Sequence, residues 1–289
     1  MKSFNKVGMT AKFVAYWRQY SDIPFAKDIA EFIDANKTIE TFLSKNQITT
    51  DEISWYAPLF EVRYKSILKT VRRKRMKQVL ELASGISLRG LNLTQDTDIS
   101  YVETDLEELT DEKIALVSML RQKYSLADNG NFRLSAANAL DLHQLVSAIK
   151  HFRNDLPVAV ISEGLFPYLT IHEMETVVRN VRHILMKFGG IWITPDFLLK
   201  GDSAWTFPHR RRVGKAIAEL TGRQLHRTMF DNEQQLFTVF DGFGLRAEVL
   251  NQADLVPAVV SLDTLKLPAG ILEKARQKLN LWILTPAAK

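Results

Sequence analysis

The chain has 289 residues, of which 46% are hydrophobic and 25% charged, and its formal net charge is +5. This composition is typical of a globular protein, and the length suffices for one large domain with an inserted lobe. The absence of cysteine excludes disulfides, thiolate metal ligands and thiol nucleophiles, and no metal site is predicted. No stretch has the apolar length of a signal peptide or a membrane span, so we expect a cytoplasmic protein without a membrane partner.

Residues 1–77 are predicted to form an N-terminal helical cap. Phe13, Tyr16, Trp17 and Tyr20 follow the spacing of one helix face and form an apolar stripe. We expect this cap to pack over the edge of the following domain where a ligand would bind.

Residues 78–289 are predicted to form an α/β domain. Short runs rich in valine, isoleucine and aromatic residues predict strands at 79–83, 99–104, 158–162 and 190–194. Strands that are apolar along their whole length, separated by helices, indicate a parallel sheet covered on both faces. The pattern predicts a doubly wound, Rossmann-like sheet whose ligands lie beyond the carboxyl ends of the strands.

Further segments complete this predicted domain. A helix over 111–124 is expected to bury Ile114, Leu116, Val117 and Leu120. An insertion at about 200–230 is predicted to form a lid. Two later apolar segments, 244–250 and 279–284, predict an antiparallel hairpin at the edge of the sheet.

The turn after the first strand combines Glu81 with Gly85. Glycine lets the backbone approach a ligand closely, and a carboxylate favours a cation over a phosphate. A P-loop is excluded because Leu91-Asn92 stand where it needs Lys and Ser/Thr, and a dinucleotide fingerprint is excluded because the turn holds one glycine. The combination favours S-adenosylmethionine, a cation that contains adenosine. An ordinary strand-to-helix turn is the alternative.

Acidic residues also stand at the ends of successive predicted strands: Glu81, Glu103 with Asp105, Asp141, and Glu163. The carboxyl ends of parallel strands share one edge of the sheet, so these side chains should lie near each other. Carboxylates there can accept hydrogen bonds from ribose hydroxyls and the adenine amine and can balance positive charge. For Asp141 a helix N-cap is an alternative, since aspartate is favoured at that position.

Four motifs resemble the leucine carboxyl methyltransferase family, which includes bacterial O-methyltransferases related to polyketide-tailoring enzymes. They are VLELASGISLRG at 79–90, YVETD at 101–105, ALDL at 139–142 and SEGLFPYL at 162–169. The run MTAKFVA at 9–15 also resembles the family's helical cap. Pro167 departs from the family pattern, which often has methionine there, and leaves the substrate preference open.

The resemblance implies a role for individual residues in binding S-adenosylmethionine. Arg63 and Lys12 would pair with its carboxylate, Gly85 would line its methionine part, and Asp105, in the motif that contains Glu103, would hold the ribose. Asp141 with Leu142 would hold adenine, and Glu163 would hold the amino group. Glu81 completes the predicted acidic edge.

The methyl acceptor is predicted to be a carboxylate or a hydroxyl of a small molecule or a peptide terminus. A carboxylate needs positive charge to orient it, which His209, Arg210 and the two following arginines could supply from the lid. A hydroxyl would need a base such as His209 or His226, and Tyr168 could face either acceptor. The basic run could instead be a solvent-facing helix start.

Other classes of function are open from the sequence. The isoelectric point near 9.2 suggests an RNA methyltransferase, but no aromatic and basic surface for RNA is evident and no nucleic-acid partner is expected. A non-catalytic binding protein would have little reason to keep acidic residues at every strand end. An oxidoreductase is possible because a fold does not fix a function.

Overall fold

The computed structural model describes residues 4–200, 212, 215–216, 229–268, 270–276 and 279–287. Five helices precede the sheet: α1 (Phe4–Arg18), α2 (Ala26–Phe32), α3 (Ala35–Lys45), α4 (Thr50–Ile53) and α5 (Tyr56–Arg73). Helix α4 begins with a capping box, in which the side chains of Thr49 and Glu52 each accept from the other residue's backbone N–H. We refer to these five helices together as the cap.

Strands and helices alternate after the cap. The first part comprises β1 (Gln78–Leu82), α6 (Arg89–Leu93), β2 (Ser100–Asp105), α7 (Glu107–Tyr124), β3 (Phe132–Ala136), α8 (Leu142–Ala148), β4 (Val158–Ser162), α9 (Ile171–Phe188) and β5 (Gly190–Thr194). The second part comprises β6 (Leu198–Leu199), β7 (Met229–Phe230), α10 (Glu233–Gly242), β8 (Leu245–Asn251), α11 (Gln252–Leu255), α12 (Val260–Thr264), α13 (Gly270–Arg276) and β9 (Asn280–Pro286). A single turn of 3-10 helix, Phe166–Tyr168, lies before α9.

Seven strands form the main sheet, in the order β3-β2-β1-β4-β5-β9-β8. The first five are parallel to their neighbours, whereas β9 runs antiparallel to both β5 and β8. The predicted α/β fold, with a mostly parallel sheet and an antiparallel edge hairpin, is confirmed. Strands β6 and β7 form a separate parallel pair.

Both faces of the sheet are buried, which explains why its strands are apolar throughout. Successive residues of β1 point to opposite faces, so Val79 belongs to the core shared with the cap and α7, and Leu80 to the core shared with α8 and α9. Trp192 and Trp282 are fully buried in the second core. Among the helices of the described residues, none is long and apolar enough to cross a membrane.

The structure differs from the sequence expectation in helix α7. Ile114, predicted to be buried, is 51% exposed, whereas Lys113 is 1% exposed. The other three residues of the predicted apolar face, Leu116, Val117 and Leu120, are buried as expected. Lys113 is buried beside them because it has a buried carboxylate partner, described below. The segment predicted to form a lid lies mostly outside the described residues.

Candidate functional site

A cavity of about 530 Å³ lies beyond the carboxyl ends of the parallel strands, as predicted for a ligand site in this kind of sheet. The segments that follow β1, β2, β3 and β4 line one side of it. Helices α1, α2 and α5 of the cap contribute the opposite side, through apolar side chains such as Phe13, Ile29 and Phe60. The volume is within the range of small-molecule sites.

The turn after β1 approaches the cavity with its backbone. Ala83 and Gly85 both have positive φ, +47° and +56° respectively. A side chain at Gly85 would meet only the Cβ of Ala11, 4.0 Å away on α1, so the space in front of this glycine is open toward the cavity. A ligand can therefore lie directly against the backbone at Gly85.

Asp105 joins this turn to the end of β2. Its carboxylate accepts hydrogen bonds from the backbone N–H of Gly85, at 2.7 Å, and of Leu106, at 2.8 Å. Burial raises the pKa of Asp105, and the two N–H donors partly oppose that rise. Each oxygen holds one backbone donor and retains a lone pair for a ligand hydroxyl.

Glu163, directly after β4, is held by two arginines. One carboxylate oxygen pairs with Arg18 of α1 at 2.5 Å and the other with Arg89 of α6 at 2.6 Å. Burial alone would raise the pKa of this carboxyl, but the positive charges of Arg18, Arg89 and Arg63 outweigh it and lower the pKa to about 2. Glu163 is therefore a carboxylate at any ordinary pH.

Arg89 also connects Glu163 to Glu81 of β1, with which it forms a second ion pair. The other oxygen of Glu81 accepts a hydrogen bond from the hydroxyl of Tyr101 at 2.6 Å. Arg89 has no exposed surface and Glu81 is 1% exposed. A removed partner would leave a buried charge unpaired, so these groups fix each other's positions.

Glu103 lies beside Glu81 in the register of β1 and β2. It pairs with Lys113 of α7 at 2.5 Å and accepts a hydrogen bond from the Gly90 N–H at 2.7 Å. Burial raises the pKa of Glu103 to about 7 even though Lys113 opposes the rise. Glu103 does not line the cavity, and its contacts hold α6 and α7 against the sheet.

Asp196, after β5, fixes the loop that follows β4. It is 6% exposed and accepts hydrogen bonds from three successive backbone N–H groups, those of Gly164, Leu165 and Phe166, at 2.7, 2.9 and 3.1 Å. Burial raises the pKa of Asp196, and these donors oppose that rise. The loop so held begins at Glu163 and continues to Tyr168, which lines the cavity and hydrogen-bonds the side chain of Thr10.

The predicted site residues fall into three groups. Those that line the cavity are Arg63, Glu81, Gly85, Asp105, Glu163 and Tyr168. Those described but not part of its lining are Lys12, Glu103, Asp141 and Leu142. His209 and Arg210 lie outside the described residues.

Asp141, and Arg212 of the predicted basic run, have contacts outside the cavity. Asp141 caps α8, where its side chain accepts from the Gln144 N–H at 3.1 Å, and the preceding residues 137–140 line the cavity instead. In the basic run, Arg212 donates to the backbone carbonyls of Asn46, at 2.6 Å, and Gln47, at the end of α3. Arg212 therefore bonds to the cap and is not part of the cavity lining.

Sequence reasoning missed the cations and the acid that hold this site together: Arg18, Arg89, Lys113 and Asp196. Arg18 stands within the apolar stripe, between Trp17 and Tyr20, and this was the one available signal that a charge there has a buried partner. Arg89 stands within the glycine motif, and nothing in its spacing distinguishes a buried ion pair from a surface charge. Asp196 follows a predicted strand, as Glu163 does, and could have been found by the same rule.

The sheet order, the antiparallel β9 and the cavity beyond β1–β4 define a Rossmann-like methyltransferase fold. A DUF574 family protein from Streptomyces avermitilis MA-4680 superposes with a TM-score of 0.59 at 13% identity, covering 96% of this chain and 97% of that one. An O-methyltransferase family protein from Burkholderia thailandensis gives 0.51 at 11%, covering 97% and 72%. The methyltransferase domain of bacterial CtHen1-C gives 0.50 at 11%, covering 80% and 100%. At such identities the likeness shows the fold alone.

The family is given by the sequence itself. The leucine carboxyl methyltransferase family model matches residues 26–182, more than half of the chain, and all four motifs lie within that range. The chain belongs to this family, as the motifs predicted, and so to the methyltransferases. A comparison with curated proteins finds no match.

Proposed function

We propose that the protein is an S-adenosylmethionine-dependent O-methyltransferase that acts on a carboxylate or a hydroxyl of a small molecule or a peptide terminus. The observation that carries this proposal is the meeting of Glu81, Asp105 and Glu163 with the open turn at Gly85 around one cavity. These are the groups that a ligand with ribose, adenine and a positively charged amino acid part requires. The family membership supports the same reaction class.

Each part of the cofactor has a candidate partner in the cavity. Asp105 would accept hydrogen bonds from the ribose hydroxyls, the backbone at Gly85 would border the methionine part, and Glu163 would receive the amino group. Arg63 makes no ion pair among the described residues and would meet the carboxylate. We assign adenine to the loop after β3, where Asp141 and Leu142 would fix the segment that borders the ring.

The bound cofactor supplies a methyl group on a positively charged sulfur, which the acceptor oxygen takes by in-line displacement. The protein's contribution is to position the two reactants, since proximity and alignment supply much of the rate in such a reaction. Apolar side chains of the cap line the cavity and would reduce the water around the reacting atoms. A carboxylate acceptor needs no base at neutral pH, and Tyr168, which lines the cavity, would contact it.

One titration tests the proposed cofactor. Calorimetry with S-adenosylhomocysteine and, separately, with NAD should show binding of the first and none of the second. Transfer of a labelled methyl group to pooled acids and phenols would then identify the acceptor. Binding of NAD without binding of S-adenosylhomocysteine would contradict the proposal.

Asp105→Ala is expected to weaken S-adenosylhomocysteine binding by about 1–3 kcal/mol, the size of lost charged hydrogen bonds. The substitution removes the acceptor of the ribose hydroxyls and frees the Gly85 N–H that it holds at 2.7 Å. Titration calorimetry measures the change, with Asp128→Ala as the control because Asp128 is an exposed partner of Arg121. Equal affinity in Asp105→Ala and the wild type would remove the ribose assignment.

Substitutions in the basic run distinguish a carboxylate from a hydroxyl acceptor, and we propose the carboxylate. Arg210→Ala and Arg211→Ala should then lower kcat/KM without changing cofactor affinity, and activity should fall as salt screens the charges. A hydroxyl acceptor predicts a rate that rises with pH through a histidine pKa and is lost in His209→Ala. Steady-state kinetics across pH and salt would decide. A rate unaffected by any of these substitutions would exclude the basic run from the site.

A further inference from the structure

Three buried polar atoms of the cavity wall have no hydrogen-bond partner among the described residues. They are the Nε of Arg18, the hydroxyl of Tyr64 and the Oγ of Ser87. Most buried polar groups in proteins are hydrogen-bonded, and an unpaired one is costly. Each belongs to a residue that lines the cavity, where a ligand could supply the missing partner.

Tyr64 is the most informative of the three. It lies on α5 directly after Arg63, is 2% exposed, and its ring lies 4.5 Å from the guanidinium carbon of Arg89 and 5.1 Å from that of Arg18. Burial raises the pKa of Tyr64 to about 12, so the hydroxyl is a proton donor at neutral pH. The two arginines oppose the rise, whereas Glu81 and Glu103 add to it. Guanidinium groups offer no acceptor. The hydroxyl therefore needs an acceptor from elsewhere, and the two positive charges favour an anionic one.

The same two arginines bind Glu163, the residue assigned to the cofactor's amino group. In an amino acid the ammonium and the carboxylate are attached to one carbon atom. The groups that recognise them must therefore be neighbours, and Tyr64 and Glu163 are neighbours through Arg18 and Arg89. Lys12, predicted to share the carboxylate with Arg63, is not part of the cavity lining.

We propose that the Tyr64 hydroxyl donates a hydrogen bond to the carboxylate of the cofactor's amino acid part, beside Arg63. This inference rests on the proposed cofactor and adds a residue to its recognition. It makes Tyr64 a selectivity residue, which distinguishes the intact amino acid chain from one without a carboxylate. The free protein retains an unpaired donor that only the ligand satisfies.

Tyr64→Phe tests the proposal because it removes the hydroxyl and keeps the ring between the arginines. The probes are S-adenosylhomocysteine and S-adenosyl-3-thiopropylamine, which keeps the amine and lacks the carboxylate. We expect Tyr64→Phe to weaken S-adenosylhomocysteine binding about tenfold or more, with the affinity for the amine analogue unchanged. The melting temperature of the free protein should not fall, since the substitution removes an unpaired buried donor.

Tyr124→Phe is the matched control. Its hydroxyl bonds Asp28 at the surface, away from the cavity, so both affinities should equal those of the wild type. Tyr64→Met, which also lacks the hydroxyl, must show the same loss of selectivity if Tyr64→Phe folds poorly.

Equal weakening of both probes, or no weakening of either, would overturn the role of Tyr64 while leaving the cofactor in place. A wild-type protein that does not bind S-adenosylhomocysteine would overturn the proposed function as well. The two failures are thus separated by one measurement on the wild type.

Discussion

Glu163→Gln is expected to lower the free energy of unfolding by about 3 kcal/mol at neutral pH and to weaken S-adenosylhomocysteine binding. Burial opposes the charge on Glu163, but Arg18 and Arg89 outweigh it and lower the pKa of this carboxyl from 4.5 to about 2. Each pKa unit corresponds to about 1.4 kcal/mol. Glutamine keeps the shape and loses the charge that holds both arginines and the cofactor's amino group. Chemical denaturation and calorimetric titration measure the two effects.

The difference in unfolding free energy between the wild type and Glu163→Gln should decrease as the pH is lowered. A carboxyl whose pKa is lower in the folded state stabilises the fold above its unfolded pKa, and this contribution is lost as the pH falls through the folded pKa. The difference should be full above about pH 4.5 and should shrink toward pH 2, where protonated Glu163 resembles glutamine. A difference that stayed constant over this window would exclude the ion pairs as its cause.

Glu175→Gln is the matched control for this experiment. Glu175 pairs with Arg179 at 2.9 Å one turn along α9, but both side chains are exposed. Exposed pairs of this kind contribute about 0.3–0.5 kcal/mol. The control should therefore change stability little at any pH and should leave cofactor binding intact.

The ion pairs of Glu163 also connect the cap to the sheet. Arg18 belongs to α1, whereas Arg89, Glu81 and Tyr101 belong to α6, β1 and β2. Since the buried charges depend on one another, a cap that moved away would leave Glu163 with Arg89 alone. Docking of the cap and the geometry around the cofactor's amino group are thus coupled through one carboxylate.

The strands that could be predicted from the sequence are those buried on both faces. The pattern predicts β4 and β5 at their observed bounds, and β1 and β2 to within a residue or so, because a short continuous apolar run in a globular domain is typical of a strand buried on both faces. The bounds of β3 could not be predicted. It lies at the edge of the sheet, only Phe132 in it is buried, and its sequence FRLSA has no apolar run.

Part of the acidic half of the site could also be predicted: Glu81, Asp105 and Glu163 stand at or just after strand ends, and parallel strands end at a common edge. The basic half could not. Arg18, Arg89 and Lys113 come from three different helices, and local spacing does not show which side chain turns inward. Lys113 is the clearest case, since an isoleucine beside it occupies the position toward solvent. The ion pair with Glu103, on strand β2, explains why Lys113 is buried while Ile114 is exposed.

Gly85→Val is expected to weaken S-adenosylhomocysteine binding by about a hundredfold while circular dichroism stays near that of the wild type. A Cβ at this position meets nothing in the protein nearer than Ala11, at 4.0 Å, so the added branches would occupy the cavity itself. The φ of +56° adds a second cost, because a branched residue is strained in this conformation. Calorimetric titration alone cannot separate lost space from lost stability.

Gly130→Val separates the two causes. Gly130 has a φ of +71°, nothing lies within 4 Å of its added Cβ, and it is an exposed residue outside the cavity lining. Both variants should carry backbone strain of about 1–3 kcal/mol, seen as a lower melting temperature. Only Gly85→Val should lose the ligand, since only there does the side chain fill the space that the methionine part requires. Similar affinity losses in both variants would mean that backbone strain, by lowering the stability of the fold, is the cause of the weaker binding. The turn at Gly85 would then not border the cofactor.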